Sequence, residues 1–408
     1  MKNFDWNTGA YRAHETQEKA TFRITVASDW GALWDYEPIM QREPLEVYGD
    51  LLPLFLDSDL NIVNVECGIG TQGAPILKGG PNLRSTPGAI DCLTKVPFHV
   101  ACLANNHSMD FGPESLHETI ALLNGAGIKT VGAGMNGAEA TQPLRLNMNG
   151  ATLAIVNCAE GEACASLNNG PGSHPFDIED VARQIRELRQ QGDAVVVIFH
   201  GGREYAPVPP PYVVDGLRRF VAAGADAIIG HHPHVPQGIE IYEGVPIAYS
   251  QGNFVFRWAQ RDGNLYASNT GYLTHLDFVG KELTRFSITP YRATPQGLRL
   301  LPEREKPQLL QELKHRSEPL ADPMKLQQVW DAFVDVHGAD GMFGLLESLS
   351  QRAGTDSCRS AAIFHNLFYS PAHRELYLNG MKRLSRGELG NSPQWARDLV
   401  QDWATRAL

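Results

Sequence analysis

Short apolar runs rich in β-branched residues recur between residues 22 and 300: FRITVAS, LNIVNVE, FHVACLA, ATLAIVN, AVVVIFH, DAIIG and PIAYS. Most are closed by Gly, Asn, Asp or His, the punctuation expected at strand ends. Between several of them the apolar period lengthens to that of a helix. Residues 113–124 open with Pro113 and place Leu116, Ile120 and Leu123 on one face before Gly125 and Gly127 stop the pattern. Residues 177–190 and 211–223 read the same way. Strands alternating with helices of this length predict an α/β domain.

After residue 303 the aliphatic strands disappear and amphipathic helices take over. Asp322 and Pro323 form a helix start, Leu326, Val329, Trp330 and Phe333 make one apolar stripe, and Gly338 ends it. The expected organisation is therefore an N-terminal segment over 1–20, an α/β domain over 21–302 and a helical region over 303–408.

The 408 residues are 43% hydrophobic and 20% charged, which argues for a folded chain rather than a disordered or fibrous one. A net charge of -11 disfavours a broad nucleic-acid or anionic-membrane surface, so no nucleic-acid partner is expected. The first twenty residues hold no apolar signal segment, and no run approaches the ~18 apolar residues of a membrane span. A cytoplasmic protein is expected. Cys67, Cys92, Cys102, Cys158, Cys164 and Cys358 include no CxxC pair. Most read as small buried hydrophobes.

Histidine is distributed unevenly. His200 follows the strand AVVVIF, and GHHPH, carrying His231, His232 and His234, follows DAIIG. Both sets fall where α/β strands deliver ligands, at their carboxyl ends. The intervening proline restricts the backbone of H-P-H so that two imidazoles can aim at one point, and imidazole suits Zn, Mn, Fe, Co or Ni. Which of the three GHHPH histidines bind stays open. Asp29 follows FRITVAS, Glu66 ends LNIVNVE, and Asn105, Asn106 and His107 follow FHVACLA. Each alone reads equally as a cap or turn residue. Together they form a mixed N/O set of the kind that holds catalytic divalent metals.

The segments DLNIVNVE, LANNHSMDFG followed by ETIALLNGAGIKTVGAG, VVVIFHGGREY, GADAIIGHHPHVPQGIEIYEG and IAYSQGNFVF resemble the CapA family of poly-γ-glutamate capsule synthesis proteins over about residues 20 to 295. That family is built on the calcineurin-like metallophosphoesterase fold. The resemblance implies a four-layer αββα sandwich, two mixed sheets flanked by helices, here with a helical C-terminal extension. It implies that Asp29, Glu66, Asn106, His200, His232 and His234 occupy metal-binding positions, for one or two divalent ions such as Mn, Zn, Fe or Ca. His107 matches the general acid of the metallophosphoesterase GNH motif, and Asp110 is placed to orient its imidazole.

Two departures matter. Metallophosphoesterases open with D-x-H, whereas Asp29 is followed by Trp30 and Gly31, so one metal-site histidine is missing. The second block carries Glu66 where a bridging Asp is usual. Losing a ligand weakens the case for a two-metal clamp, and a single metal or a weak second one fits better. Glu204 is a candidate base or metal neighbour, Lys78 and Arg203 candidate grips for a carboxylate or phosphate, and Asn253 a candidate hydrogen-bonding residue at the site edge.

The expected function is that of a metal-dependent hydrolase or transferase acting on an anionic small molecule, γ-glutamyl peptide or polymer, or on a phosphoester. One alternative is a metal-dependent peptide epimerase in which His107 and Glu204 move a proton at Cα. Another is a non-catalytic assembly factor working with a biosynthetic partner protein.

Overall fold

In the computed structural model, which describes residues 4–14, 18–31, 33, 36–162, 164–166, 169–256, 269–294, 296–353 and 356–407, the apolar runs become strands of two stacked sheets. The first sheet has nine strands among the described residues. Across it run Phe4–Asp5, Ala10–Arg12, Glu282–Thr294, Thr270–Val279, Phe22–Trp30, Leu60–Val65, Val100–Cys102 and Lys129–Val131, with Gly297–Leu300 added beside Glu282–Thr294. The second runs Leu144–Met148, Ala151–Ala159, Ala194–His200, Ala227–His231, Val245–Ala248 and Ile239–Tyr242. Parallel pairing joins Phe22–Trp30 through Lys129–Val131 in one sheet and Ala151–Ala159 through Val245–Ala248 in the other.

Successive side chains of a strand point to opposite faces, so AVVVIFH serves two cores at once. Val196 and Ile198 join Ile24, Val26, Ile62 and Val100 in a core between the sheets. Val195, Val197 and Phe199 turn the other way, onto the helices Ile178–Gln190 and Pro211–Ala223. On the far side of the first sheet, Val63, Val65 and Leu103 pack with Phe55, Leu93, Leu116 and Leu123. The result is the expected four layers of helix, sheet, sheet and helix.

Local chemistry sets the helix ends. Asp177 accepts hydrogen bonds from the backbone N–H groups of Glu179 and Asp180, and Asp322 accepts one from Met324. Gly224 stops Pro211–Ala223 at a left-handed φ of 113°.

Both ends of the described chain pack onto the sandwich. Phe4 and Tyr11, from the segment ahead of residue 21, are buried in the inter-sheet core. Lys306–Ser317 adds Leu309, Leu310 and Leu313 to that core, and Pro323–His337 lays Leu326, Val329, Trp330 and Phe333 into the helical layer of the second sheet. The helices Ala339–Ala353, Ser357–Tyr369, Pro371–Ser385 and Gln394–Ala407 follow. Pro371–Ser385 crosses the end of Pro323–His337 at Gly380, where an added Cβ would stand 2.6 Å from the backbone nitrogen of Ala339. Only glycine permits that approach. Among the described residues, no helix is long and apolar enough to cross a membrane.

Candidate metal centre

Alternation and one irregularity aim the polar strand ends inward. His200 shares the inter-sheet face of Val196 and Ile198. In Leu60–Val65, Ile62 points between the sheets, and Asn64 and then Glu66 follow at intervals of two. In Phe22–Trp30 strict alternation from Ile24 and Val26 would send Asp29 outward with Ala27. A bulge shifts the register there: Ala27 pairs with Val63, but Asp29 pairs with Asn64. The extra residue, Ser28, returns Asp29 to the inner face.

The inward groups converge, all of them buried except the half-buried Asn106. Asn64 Nδ2 donates to Asp29 Oδ1 at 2.8 Å and lies 3.2 Å from His200 Nδ1. His200 Nε2 is 2.8 Å from Asn106 Oδ1 and 3.3 Å from Glu66 Oε1. His234 bridges the carboxylates, with Nδ1 3.9 Å from Asp29 Oδ2 and Nε2 4.0 Å from Glu66 Oε1. The backbone N–H of His232 donates to Asp29 Oδ2 at 3.2 Å. His232 and His234 take left-handed φ values of 96° and 58°, rare for residues with a Cβ and of a kind that clusters at functional sites.

Two triads each bring one ligand atom per residue within 4.8 Å of one another: Glu66, His200 and His232, and Asp29, Glu66 and His234. Neither oxygen of Glu66 makes a hydrogen bond among the described residues, although His200 Nε2 stands 3.3 Å away; nor does His232 Nδ1. A buried carboxylate left so is costly unless another partner completes it. The donor set of carboxylates, imidazoles and an amide oxygen fits a divalent cation. Electrostatics agree. Burial alone would raise the Asp29 carboxyl, but His200, His231 and His234 hold it well below the usual carboxylate range. Burial alone would lower His200, but Glu66 and Asp29 bring it up to about 9. Carboxylates that favour a proton on His200 also favour a cation. Burial, reinforced by His200, pushes His232 well down and keeps it neutral, the form in which imidazole ligates.

The structure also distinguishes the three GHHPH histidines. His231 Nε2 is 2.8 Å from Gln251 Oε1, while Gln251 Nε2 donates to the carbonyls of Val26 and Tyr272. Those two bonds fix the amide's orientation, so His231 is the donor to Gln251. His234 Nδ1 stands 2.8 Å from Asn253 Oδ1, leaving Nε2 to face Glu66. Asn253 thus supports a histidine at the site edge.

His107 Nδ1 is 2.7 Å from Asp110 Oδ2, and Lys78 Nζ reaches Asp110 Oδ1 at 2.6 Å and the Asn106 carbonyl at 2.9 Å. Lys78 is itself buried, so its ammonium positions Asp110. Burial, then Lys78, lowers His107 against the pull of Asp110. Glu204 pairs with Arg203 and lies 3.9 Å from His232 Nε2 and 3.6 Å from His373 Nε2. Burial would raise Glu204, but His373 and Arg203 keep it well below the ordinary range.

Asn106, His107, Glu204, His232 and His234 line one cavity of about 440 Å³, whose opposite wall includes Ile363, Asn366, Leu367, His373 and Tyr377. Those wall residues belong to the helices Ser357–Tyr369 and Pro371–Ser385, so the helical region closes over the strand-end residues. The sequence reading missed Asn64, Glu160 and His373. Asn64 was signalled by its spacing of two from Glu66, and Glu160 by its place after ATLAIVNCA, a longer strand than expected. Nothing local marked His373. The D-x-H departure has a steric correlate: a Cβ on Gly31 would be 3.0 Å from Leu33 Cδ1 and 3.2 Å from Phe256, whose ring stacks on His234 at 5.0 Å.

Residues 12–257 match the model of the family described as bacterial capsule synthesis protein PGA_cap. The chain is 33% identical over 220 residues to the PGA biosynthesis protein CapA of Bacillus subtilis, covering 52% of this chain and 57% of that protein. It is 30% identical over 297 residues to a probable polyglutamine synthesis accessory protein of Mycobacterium tuberculosis, covering 69% and 75%. The capsule biosynthesis protein CapA of Bacillus anthracis is 33% identical over 181 residues, covering 43% and 44%. The chain thus spans little more than half the length of the Bacillus subtilis relative. The strand-end segments that converge on Glu66 all lie within the matched residues, and this chain belongs to the PGA_cap family, the family of the CapA capsule synthesis proteins.

Proposed function

We propose that this protein is a metal-dependent hydrolase or transferase acting on a γ-glutamyl peptide or polymer, in the poly-γ-glutamate metabolism that names its relatives. The observation that carries this reading is Glu66: two buried oxygens with no hydrogen bond among the described residues, facing His200 and His234 beside a cavity lined by His107, whose Nδ1 is held by Asp110.

Asp29, Glu66, Asn106, His200, His232 and His234 would hold the cation. A divalent ion supplies Lewis-acid polarisation of a carbonyl or phosphoryl oxygen when bound there. The chain's own residues do the rest. Asp110 accepts a hydrogen bond from the Nδ1–H of His107, so Nε2 is the nitrogen that gives or accepts a proton at the reacting group. Lys78 fixes Asp110. Arg203 brings positive charge to the cavity wall, where an anionic substrate needs it. As an accessory to synthesis, the protein would act beside a partner that makes or moves the polymer.

Metal content and turnover test this together. Elemental analysis of protein purified without chelator should find about one divalent ion per chain, lost in His232→Ala and in Asp29→Ala. The loaded wild type should release glutamate or shorter chains from γ-linked oligoglutamate. Failure to take up Mn or Zn would sink the reading, and deuterium entering Cα without cleavage would turn it towards epimerisation.

A further inference from the structure

The cavity holds further polar atoms left incomplete, on residues other than the cation donors. Glu160 is 8% exposed, and its Oε1 accepts hydrogen bonds from the Gly202 N–H at 2.8 Å and from the Tyr212 hydroxyl. Its Oε2 is buried and has no hydrogen-bond partner among the described residues. Arg203, next in the chain to Gly202, pairs with Glu204 through Nη1, yet its Nε–H is likewise buried and unpartnered. His373 Nδ1 is the third such atom, and all three residues line the same cavity.

These atoms ask for opposite things. An arginine Nε–H can only donate, so it needs an anionic or carbonyl acceptor. A buried carboxylate oxygen needs a donor, and a cationic one compensates its charge best. A phosphate or simple dicarboxylate satisfies Arg203 but places like charge near Glu160. A ligand carrying a carboxylate and an ammonium on one carbon serves both.

We infer that the cavity wall formed by Glu160, Arg203 and His373 is a recognition site for a zwitterionic α-amino acid head group, with the ammonium on Glu160 and the carboxylate on Arg203 and His373. This rests on the glutamyl reading above and sharpens it. In a γ-linked glutamyl chain every residue keeps its α-carboxylate, but only the first also keeps a free α-ammonium. The site therefore selects the amino end of the chain and makes the protein act from that end rather than at internal bonds.

Calorimetric titration of the manganese-loaded full chain tests it, with γ-L-glutamyl-L-glutamate and its N-acetyl derivative as probes. Acetylation should weaken binding roughly tenfold or more, the cost of losing a charged hydrogen bond. Glu160→Gln, checked for folding by its thermal transition, should bind both probes alike. Equal affinities in the wild type, or no binding of either, overturn the inference without using a variant. So does discrimination that survives Glu160→Gln. L-Alanine and N-acetyl-L-alanine separate the two levels of the argument. If alanine is discriminated from its acetyl form as strongly as the dipeptide and binds as tightly, the head-group site stands and the glutamyl reading falls.

Discussion

Two clusters of buried polar residues share one cavity and are built on opposite principles. Around Asp110 each contact is closed: His107 Nδ1 and the Leu83 N–H meet Oδ2, and Lys78 meets Oδ1. Around Glu66 the contacts stay open, with both carboxylate oxygens and His232 Nδ1 lacking hydrogen bonds among the described residues. A closed network holds its members in one geometry, whereas an open one is stable only with an additional partner. The first is suited to moving a proton and the second to holding an ion.

Breaking the closed cluster should have the largest effect. Asp110→Ala leaves the Lys78 ammonium buried without its carboxylate, and denaturant unfolding should register a loss of about 3–5 kcal/mol. Bound metal per folded chain should fall far less than in Asp29→Ala.

A closed histidine remote from the cavity sharpens the contrast through pH. His275 Nδ1 lies 2.9 Å from Thr25 Oγ1 and Nε2 2.9 Å from Thr289 Oγ1. Burial, with Arg23 nearby, lowers it to about 4 from an ordinary 6.5. The unfolded chain therefore takes the proton first as pH falls. The stability His275 contributes is whole above pH 6.5 and is lost as pH drops towards 4. His275→Gln should narrow its stability gap to wild type by up to about 3 kcal/mol over that range, read from unfolding midpoints at each pH. A gap that stays constant with pH would mean the imidazole titrates normally in the fold.

The smallest effect falls on the support of the open cluster. Asn253→Ala removes the group that orients His234 and should weaken cation affinity roughly 10- to 100-fold in competition with a chelator, without abolishing it. Unchanged affinity would remove His234 from the centre.

Much of this architecture was legible in the chain. Strand runs, the helix ends at Asp322 and Gly338, and the position of His200 after AVVVIF follow from local alternation and capping, which neighbours in sequence determine. The inward turn of Asp29 was not legible, because it depends on a bulge that only the pairing with Leu60–Val65 reveals. Distinguishing His231 from His234 required Gln251 and Asn253, which lie about twenty residues downstream. His373 is farther still: it reaches Glu204 because Gly380 lets one helix cross closely over another, and no period in the sequence records that crossing.

The cavity's division of labour has an evolutionary consequence. The candidate cation donors beside it all stand at strand ends before residue 235, while much of the facing wall comes from helices beyond residue 356. Selection can therefore rewrite those helices without disturbing the centre. Descendants of one ancestral sandwich could keep the same ion chemistry while exchanging the wall that decides which molecule is presented to it.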